Sequence, residues 1–109
     1  MRTIVQVKTP GFEGGFSCSI QTEEWETFVG TLRRLESAIG RDEVASWGNM
    51  ESNVAFEFKL HKLGALECEF RFSPNVLSIG PTLSGPFEAD QTFLRSWIDD
   101  AQRIVEAAR

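Results

Sequence analysis

The strongest hydrophobic period in the sequence lies near its C-terminus, in residues 89–109. Apolar side chains recur there at steps of three and four residues, which places them on one stripe of an α-helix. The stripe consists of Phe93, Leu94, Trp97, Ile98, Ala101, Ile104, Val105 and Ala108. Asp90 precedes it, at a position where a side-chain oxygen can accept from the backbone N–H groups of Thr92 or Phe93. The pattern predicts an amphipathic helix that Asp90 caps and that a sheet or other helices must cover.

A second stripe with the same period predicts an earlier helix. It consists of Trp25, Phe28, Val29, Leu32, Leu35 and Ile39. Thr22 is the predicted N-cap, and Glu23 and Glu24 bring negative charge to the first turn, where the helix dipole favours it. Gly40 is the predicted stop, because glycine readily adopts the left-handed conformation that ends many helices.

Strict alternation of apolar and polar residues predicts strands in the remaining chain. Residues 2–8 and 16–21 alternate on either side of a Pro/Gly-rich connection, which predicts an antiparallel hairpin. Residues 54–61 and 66–72 alternate more strongly around a turn at residues 62–64. They predict a second hairpin, apolar on one face and charged on the other.

Two segments have weaker patterns. Val76, Leu77 and Ile79 begin a predicted fifth strand. Residues 81–86 contain two prolines, so the passage to the last helix is predicted to be irregular or an edge strand, since an interior strand would not tolerate them. Residues 41–53 are predicted to form a connection with room for a short strand or a turn.

These elements predict an α+β fold in the order β-β-α-β-β-β-α. The sheet is expected to be mainly antiparallel and five-stranded, with both amphipathic helices packed on its apolar face and its charged face left to solvent or a partner. A length of 109 residues suits a single α+β domain spanning residues 1–109.

Charge and composition narrow the classes of partner. A net charge of −5 at pH 7 argues against nucleic acid, because phosphate binding rests on clustered Lys and Arg. A basic protein is easier to accommodate. No apolar run reaches the roughly 18 residues that a membrane span needs, and the N-terminal residues lack the apolar centre of a secretory signal. The predicted location is therefore cytoplasmic.

The sequence carries few residues suited to a metal site, a cofactor site or nucleophilic catalysis. Cys18 and Cys68 fall in phase with apolar neighbours, which favours reduced core thiols over a disulfide. His61 has no Cys or Asp nearby at metal-ligand spacing, and residues 11–15 lack the Lys-Ser/Thr of a phosphate-binding loop. We expect no metal, no cofactor and no catalytic triad, and hence a protein that is not an enzyme.

Polar side chains of the second hairpin share its outward face. They are Glu57, Lys59, His61, Glu67, Glu69 and Arg71. The face could be simply solvated, could hold a catalytic pair of carboxylates, or could dock a basic protein. General acid catalysis needs a cleft that raises a carboxyl pKa, and an open sheet face does not supply one by itself. Solvation is favoured over catalysis, and docking remains open.

Trp47 is the aromatic residue that the pattern places least well. It is interpreted either as a core side chain beneath the connection of residues 41–53 or as an exposed anchor for a protein partner. We therefore include Trp47 with the six polar residues of the second hairpin as candidate partner-binding residues.

Two short motifs carry a resemblance to a known family. They are Glu51-x-Asn53, which leads into the strand at Val54, and Asp90-Gln91-Thr92-Phe93-Leu94, which opens the last helix. With the spacing of the strands and turns between Phe16 and Val105, the sequence resembles the WapI-like bacterial immunity proteins. The resemblance implies a non-enzymatic antitoxin that binds and neutralises a toxin domain made by its own cell. It supplies no catalytic residue.

The leading hypothesis is an immunity-type inhibitor that docks a toxin through its outer sheet face or through residues 41–53. The alternative is a structural or adaptor subunit that exists as a monomer or as a homodimer. Such a homodimer would pair through an exposed strand edge near residues 76–83.

Overall fold

The computed structural model of this protein describes residues 2–74 and 80–108. Two helices and six strands are found there. In chain order they are β1 (Arg2–Thr9), β2 (Phe12–Ser19), α1 (Thr22–Ser37), β3 (Glu43–Gly48), β4 (Val54–Leu60), β5 (Ala65–Phe72), β6 (Leu83–Asp90) and α2 (Thr92–Ala108).

The strands form two antiparallel sheets. Among the described residues β1 pairs only with β2, and the other four strands lie in the order β3-β4-β5-β6. The α+β class is confirmed, but the prediction of one five-stranded sheet is wrong, because the first hairpin forms a sheet of its own. The predicted strand at Val76, Leu77 and Ile79 lies outside the described residues.

β3 and β6 are the strands that the sequence showed least clearly. In β3 the buried side chains are Ala45 and Trp47. Two apolar positions are too few to show an alternating pattern in the sequence. β6 contains Pro86, opposite Glu69, and within the described residues it is one of the two edge strands of its sheet. An edge strand tolerates proline because its outer side needs no ladder hydrogen bond. The expectation of an edge segment is confirmed, and it is regular over eight residues.

Both helices cover the same face of the four-stranded sheet, and their apolar stripes meet the inward residues of the strands. The central members of this core are Leu32 and Leu35 of α1, Phe58 and Leu60 of β4, Leu66 and Cys68 of β5, and Leu94 and Ile98 of α2. Arg95 of α2 pairs with Glu36 of α1 at the surface. The predicted packing of both helices on one apolar face is confirmed for this sheet.

The helix caps agree with those predicted from the sequence, except at the start of α1. Thr22 is the first residue of α1, and the cap is Gln21, whose backbone N–H donates to Oε2 of Glu24 at 2.8 Å. Gly40 adopts φ +100 in the turn after α1, as a glycine stop should. Asp90 accepts from the backbone N–H of Thr92 at 2.8 Å, which confirms it as a cap of α2.

A buried polar network ties together the ends of several strands. Asn49 Oδ1 accepts from the Val54 backbone N–H at 2.9 Å, and Asn49 Nδ2 donates to Asn53 Oδ1 at 3.2 Å. Asn53 Nδ2 in turn donates to the Ser73 carbonyl at 2.9 Å, just after β5. Asn49 Nδ2 also donates to the Ser19 carbonyl at the end of β2, at 3.4 Å. The β3–β4 turn is therefore held to both sheets by hydrogen bonds out of water.

The β4–β5 turn is fixed by the residues that open α2. The Gln91 backbone N–H donates to the Gly64 carbonyl at 2.9 Å. Gly64 is buried with φ +102, and a Cβ there would lie 3.2 Å from Cδ and Oε1 of Gln91. Only glycine satisfies both the conformation and the close approach.

We expect Asn53→Ala to destabilise the fold by about 1–3 kcal/mol, because it leaves the buried Ser73 carbonyl without its side-chain donor. Urea denaturation would show a lower midpoint. Gln6→Ala, on the exposed side of β1, should leave the midpoint nearly unchanged and serves as the control. Equal midpoints for the two variants would contradict a structural role for the network.

Two glycine substitutions should act in opposite directions. Gly64→Ala should lower the free energy of unfolding by about 1–3 kcal/mol, since it forces alanine into a left-handed conformation against Gln91. Gly30→Ala should raise it by about 0.5–1 kcal/mol, because Gly30 lies inside α1 with open space around its Cα. Thermal unfolding of both variants tests the pair, and a shift of the same sign in both would refute the assignment of the turn.

Candidate functional site

The uncovered face of the four-stranded sheet brings together the polar residues that the sequence singled out. Alternate positions of β4 and β5 point away from the helices and carry the exposed residues Glu57, Lys59, Glu67, Glu69 and Arg71. His61 follows β4 directly and joins the same surface. We call this surface the outer face.

Cross-strand neighbours on the outer face include two pairs of like charge. Glu57 lies opposite Glu69, and Glu67 lies opposite Glu88 of β6. Directly opposed carboxylates in neighbouring strands repel, which destabilises the sheet. Within residues 2–74 and 80–108, Glu57, Glu69 and Glu88 have no ion-pair partner. These three carboxylates therefore form the uncompensated part of the surface.

Lys59 and His61 of the outer face both lie next to Glu67. Lys59 lies opposite Glu67, and His61 Nε2 lies 3.4 Å from Glu67 Oε2. Arg71 lies opposite Ala55 and Ser84 in the register, and it lines a second depression together with Glu57 and Glu69. Among the described outward carboxylates, Glu67 has a basic side chain within ion-pair distance, and Glu57, Glu69 and Glu88 have none.

The outer face is concave, with a depression of about 500 Å³ at its centre. Besides Pro86, its lining includes three outward residues that the sequence did not single out: Val44 and Ser46 of β3 and Glu88 of β6. Val44 is 62% exposed, which is high for an apolar side chain in a strand. All three follow from the alternation of β3 and β6, so recognition of these two strands would have identified them.

Trp47 does not belong to this surface. It is 6% exposed, and its indole Nε1–H donates to the Glu24 carbonyl of α1 at 3.0 Å. Its ring packs against Phe28 with centroids 4.7 Å apart. The interpretation as a core side chain is confirmed, and the interpretation as an exposed anchor is wrong. A buried tryptophan with a satisfied N–H holds β3 to α1 and cannot contact a partner.

The family motif residues also lie apart from the outer face. Asn53 is buried in the hydrogen-bond network beneath the β3–β4 turn, and Asp90 accepts from Thr92 at the start of α2. Hydrogen bonds from the Thr92 hydroxyl and backbone N–H lower the pKa of Asp90 from its ordinary value. These residues shape the turns and do not line the depression.

The chemistry available at the outer face is binding through charge and shape. Over the part of the chain that the structure describes, no three His, Cys, Asp or Glu side chains converge on a possible metal position. Cys18 and Cys68 are buried free thiols, as predicted, and burial raises the pKa of Cys68 to about 11, so its thiol stays protonated. Neither described helix is long and apolar enough to cross a bilayer.

Comparison with known proteins identifies a family over the whole chain. Residues 1–109 match the family model described as Immunity protein WapI-like family. Searches of the curated proteins and of the solved structures found no match. The family resemblance carried by the two sequence motifs is confirmed.

We expect Glu69→Lys to stabilise the fold by about 0.2–1 kcal/mol, because it converts the repulsive pair with Glu57 into an attractive one. The gain should shrink as salt is added, since exposed charges are screened. Chemical denaturation at low and high ionic strength measures it.

Glu13→Lys is the matched control for this experiment. It makes the same change in net charge, but Glu13 lies opposite Lys8 in the first hairpin, so reversal there creates repulsion and should destabilise the fold. If both variants were equally stabilised, net charge alone would explain the result and the cross-strand repulsion would play no part.

Proposed function

Because this chain belongs to the WapI-like immunity protein family, we propose that it neutralises a cognate bacterial toxin domain by protein–protein contact, without catalysis of its own. The toxin domain binds the outer face and is held there in a complex that blocks its action. We place this encounter in the cytosol, where the chain protects the cell that makes it.

The observation that carries the docking surface is the uncompensated charge of Glu57, Glu69 and Glu88. Carboxylates opposed across a sheet repel each other and cost stability, and within the described residues no basic side chain lies at ion-pair distance from these three. A partner that places Lys or Arg over these side chains would convert the repulsion into attraction. The repulsion lowers the stability of the free protein, and binding of the basic partner removes that loss.

The shape of the outer face favours the same role. A concave sheet surface of four strands presents its side chains in fixed positions, because each strand is hydrogen-bonded to its neighbours and backed by the core. Val44 and Pro86 add apolar area beside the acids. Interfaces of this kind combine a small apolar centre with a charged rim that sets orientation and the rate of association. A basic toxin domain is the partner that fits this surface.

A second candidate function rests on the sheet edge. Within the described residues, the edge of β6 that faces away from β5 pairs with no strand, and it offers eight residues of backbone for hydrogen bonding. An edge of this length can pair with another copy of the chain, which would make a homodimeric structural or adaptor subunit. Light scattering across a range of concentrations tests this candidate, and a strict monomer contradicts it.

The docking proposal is tested by charge reversal of the outer face. Tagged protein captures its partner from the native host at low and moderate salt, and the partner is identified, purified and assayed for toxin activity. We expect Glu57→Lys combined with Glu67→Lys and Glu69→Lys to weaken binding by tenfold or more, which is about 1.4 kcal/mol, because several attractive contacts become repulsive. Calorimetry of the purified pair measures the loss.

The control is a second triple variant with the same change in formal charge. It combines Glu13→Lys, Asp99→Lys and Glu106→Lys. Glu13 lies in the first hairpin, and Asp99 and Glu106 lie on the exposed side of α2, away from the outer face. It should bind almost as well as the natural chain, with a loss only in the rate of association. Equal losses in the two triple variants would reduce the effect to net charge, and unchanged affinity in the first would remove the outer face from the proposal.

A further inference from the structure

The opposite side of the sheet contains a cleft that the proposed docking does not use. It lies between the first turns of α1, the middle of α2 and the floor provided by β4 and β6, and its volume is about 330 Å³. Six aromatic side chains line it: Trp25, Phe28, Phe56, Phe58, Phe87 and Trp97. Ala101 and Ile104 complete the apolar wall on the α2 side. Its volume is within the range of small-molecule sites, at the lower end.

The cleft is open because the side chains around it are only partly buried. Trp25, Phe56, Phe87 and Trp97 all retain exposed ring area, although each packs against at least one other ring at a centroid distance of about 6 Å. Large apolar side chains on the surface are costly to leave in water. The Nε1–H of Trp25 is in addition shielded from solvent with no acceptor among the described residues. These side chains therefore leave an open apolar surface in the described part of the chain.

One charged residue belongs to the lining, and it is acidic. Asp100 stands at the mouth of the cleft on α2, with its side chain 66% exposed. Its Oδ1 accepts from Arg103 Nη1 at 2.6 Å, and its Oδ2 has no hydrogen bond within the described residues. The cleft therefore combines aromatic walls with a carboxylate oxygen at the entrance, and the chain as a whole carries a net charge of −5.

We propose that this cleft binds a small aromatic amine. The ring of the ligand lies among the aromatic side chains, where stacked and edge-to-face contacts are available. Its protonated amine stays at the mouth, close to the carboxylate of Asp100 and to the faces of the surrounding rings, which also attract cations. An aromatic acid is disfavoured at the same place by repulsion from Asp100. The site is separate from the outer face, so this proposal can be tested independently of toxin docking.

The test uses 2-phenylethylamine as the probe and the indole N–H signals of the protein as the reporter. The chain has three tryptophans, and Trp25 and Trp97 line the cleft whereas Trp47 is buried behind it. We expect saturable shifts of the Trp25 and Trp97 signals in ¹H–¹⁵N spectra, with millimolar affinity as befits so small a ligand. The amine should bind about 1.5- to 5-fold more tightly than uncharged 2-phenylethanol, the factor that one exposed ion pair supplies.

Two neighbouring aspartates give a matched pair of variants. Asp100→Asn should abolish the preference for the amine over the alcohol while leaving the binding of the alcohol unchanged. Asp99→Asn should preserve the preference, because Asp99 faces Arg95 on the exposed side of α2 and is not part of the lining. Chemical shifts elsewhere in the spectrum confirm that both variants are folded.

Three results would overturn the proposal. The first is the absence of any saturable shift of Trp25 or Trp97 with the amine. The second is equal binding of the amine, the alcohol and 3-phenylpropionate, which would leave an apolar cleft with no selection for a cation. The third is tighter binding of N-acetylphenylalaninamide than of the amine, which would assign the cleft to an aromatic side chain of a protein partner.

Discussion

Phe56 joins the two parts of the molecule, because its ring packs against both groups of buried side chains. One group lies between the helices and the four-stranded sheet, and the other lies where the end of the first hairpin meets Trp47 and Val54. The first hairpin depends on this junction. Two strands alone are marginally stable in water, and β1 and β2 pair with no other strand in the described chain. Cys18 and Ile20, buried at its base, connect the hairpin to the rest of the core.

The two faces of the larger sheet follow different physical rules. Apolar burial determines the inner face, where Leu60 and Leu66 are almost wholly inaccessible and a change of volume would be costly. No such constraint acts on the outer face, where charges meet water and opposed carboxylates such as Glu57 and Glu69 cost a few tenths of a kcal/mol. The large stabilisation on one face allows this small loss on the other. A sheet covered on one side only can therefore hold a binding surface without risk to its fold.

The residues of the two sequence motifs stabilise turns of the fold. Asn53 and Gln91 act at turns, where a buried amide or a close backbone approach leaves little freedom in the choice of residue. Both residues lie apart from the outer face, which is the surface proposed to dock the partner.

The sequence by itself determined both helices, the two hairpins, the buried cysteines and the sharing of one face by Glu57 and Glu69, because each depends on a local period of 3.6 or two residues. It also determined the cap at Asp90, whose partner is two residues away. Only the tertiary structure decided that the first hairpin forms its own sheet, that β3 and β6 flank the second hairpin, and that Trp47 is buried. These features depend on which elements pack together, and contacts between residues distant in sequence leave no period in the chain. For the same reason the aromatic cleft, assembled from α1, β4, β6 and α2, became visible only in three dimensions.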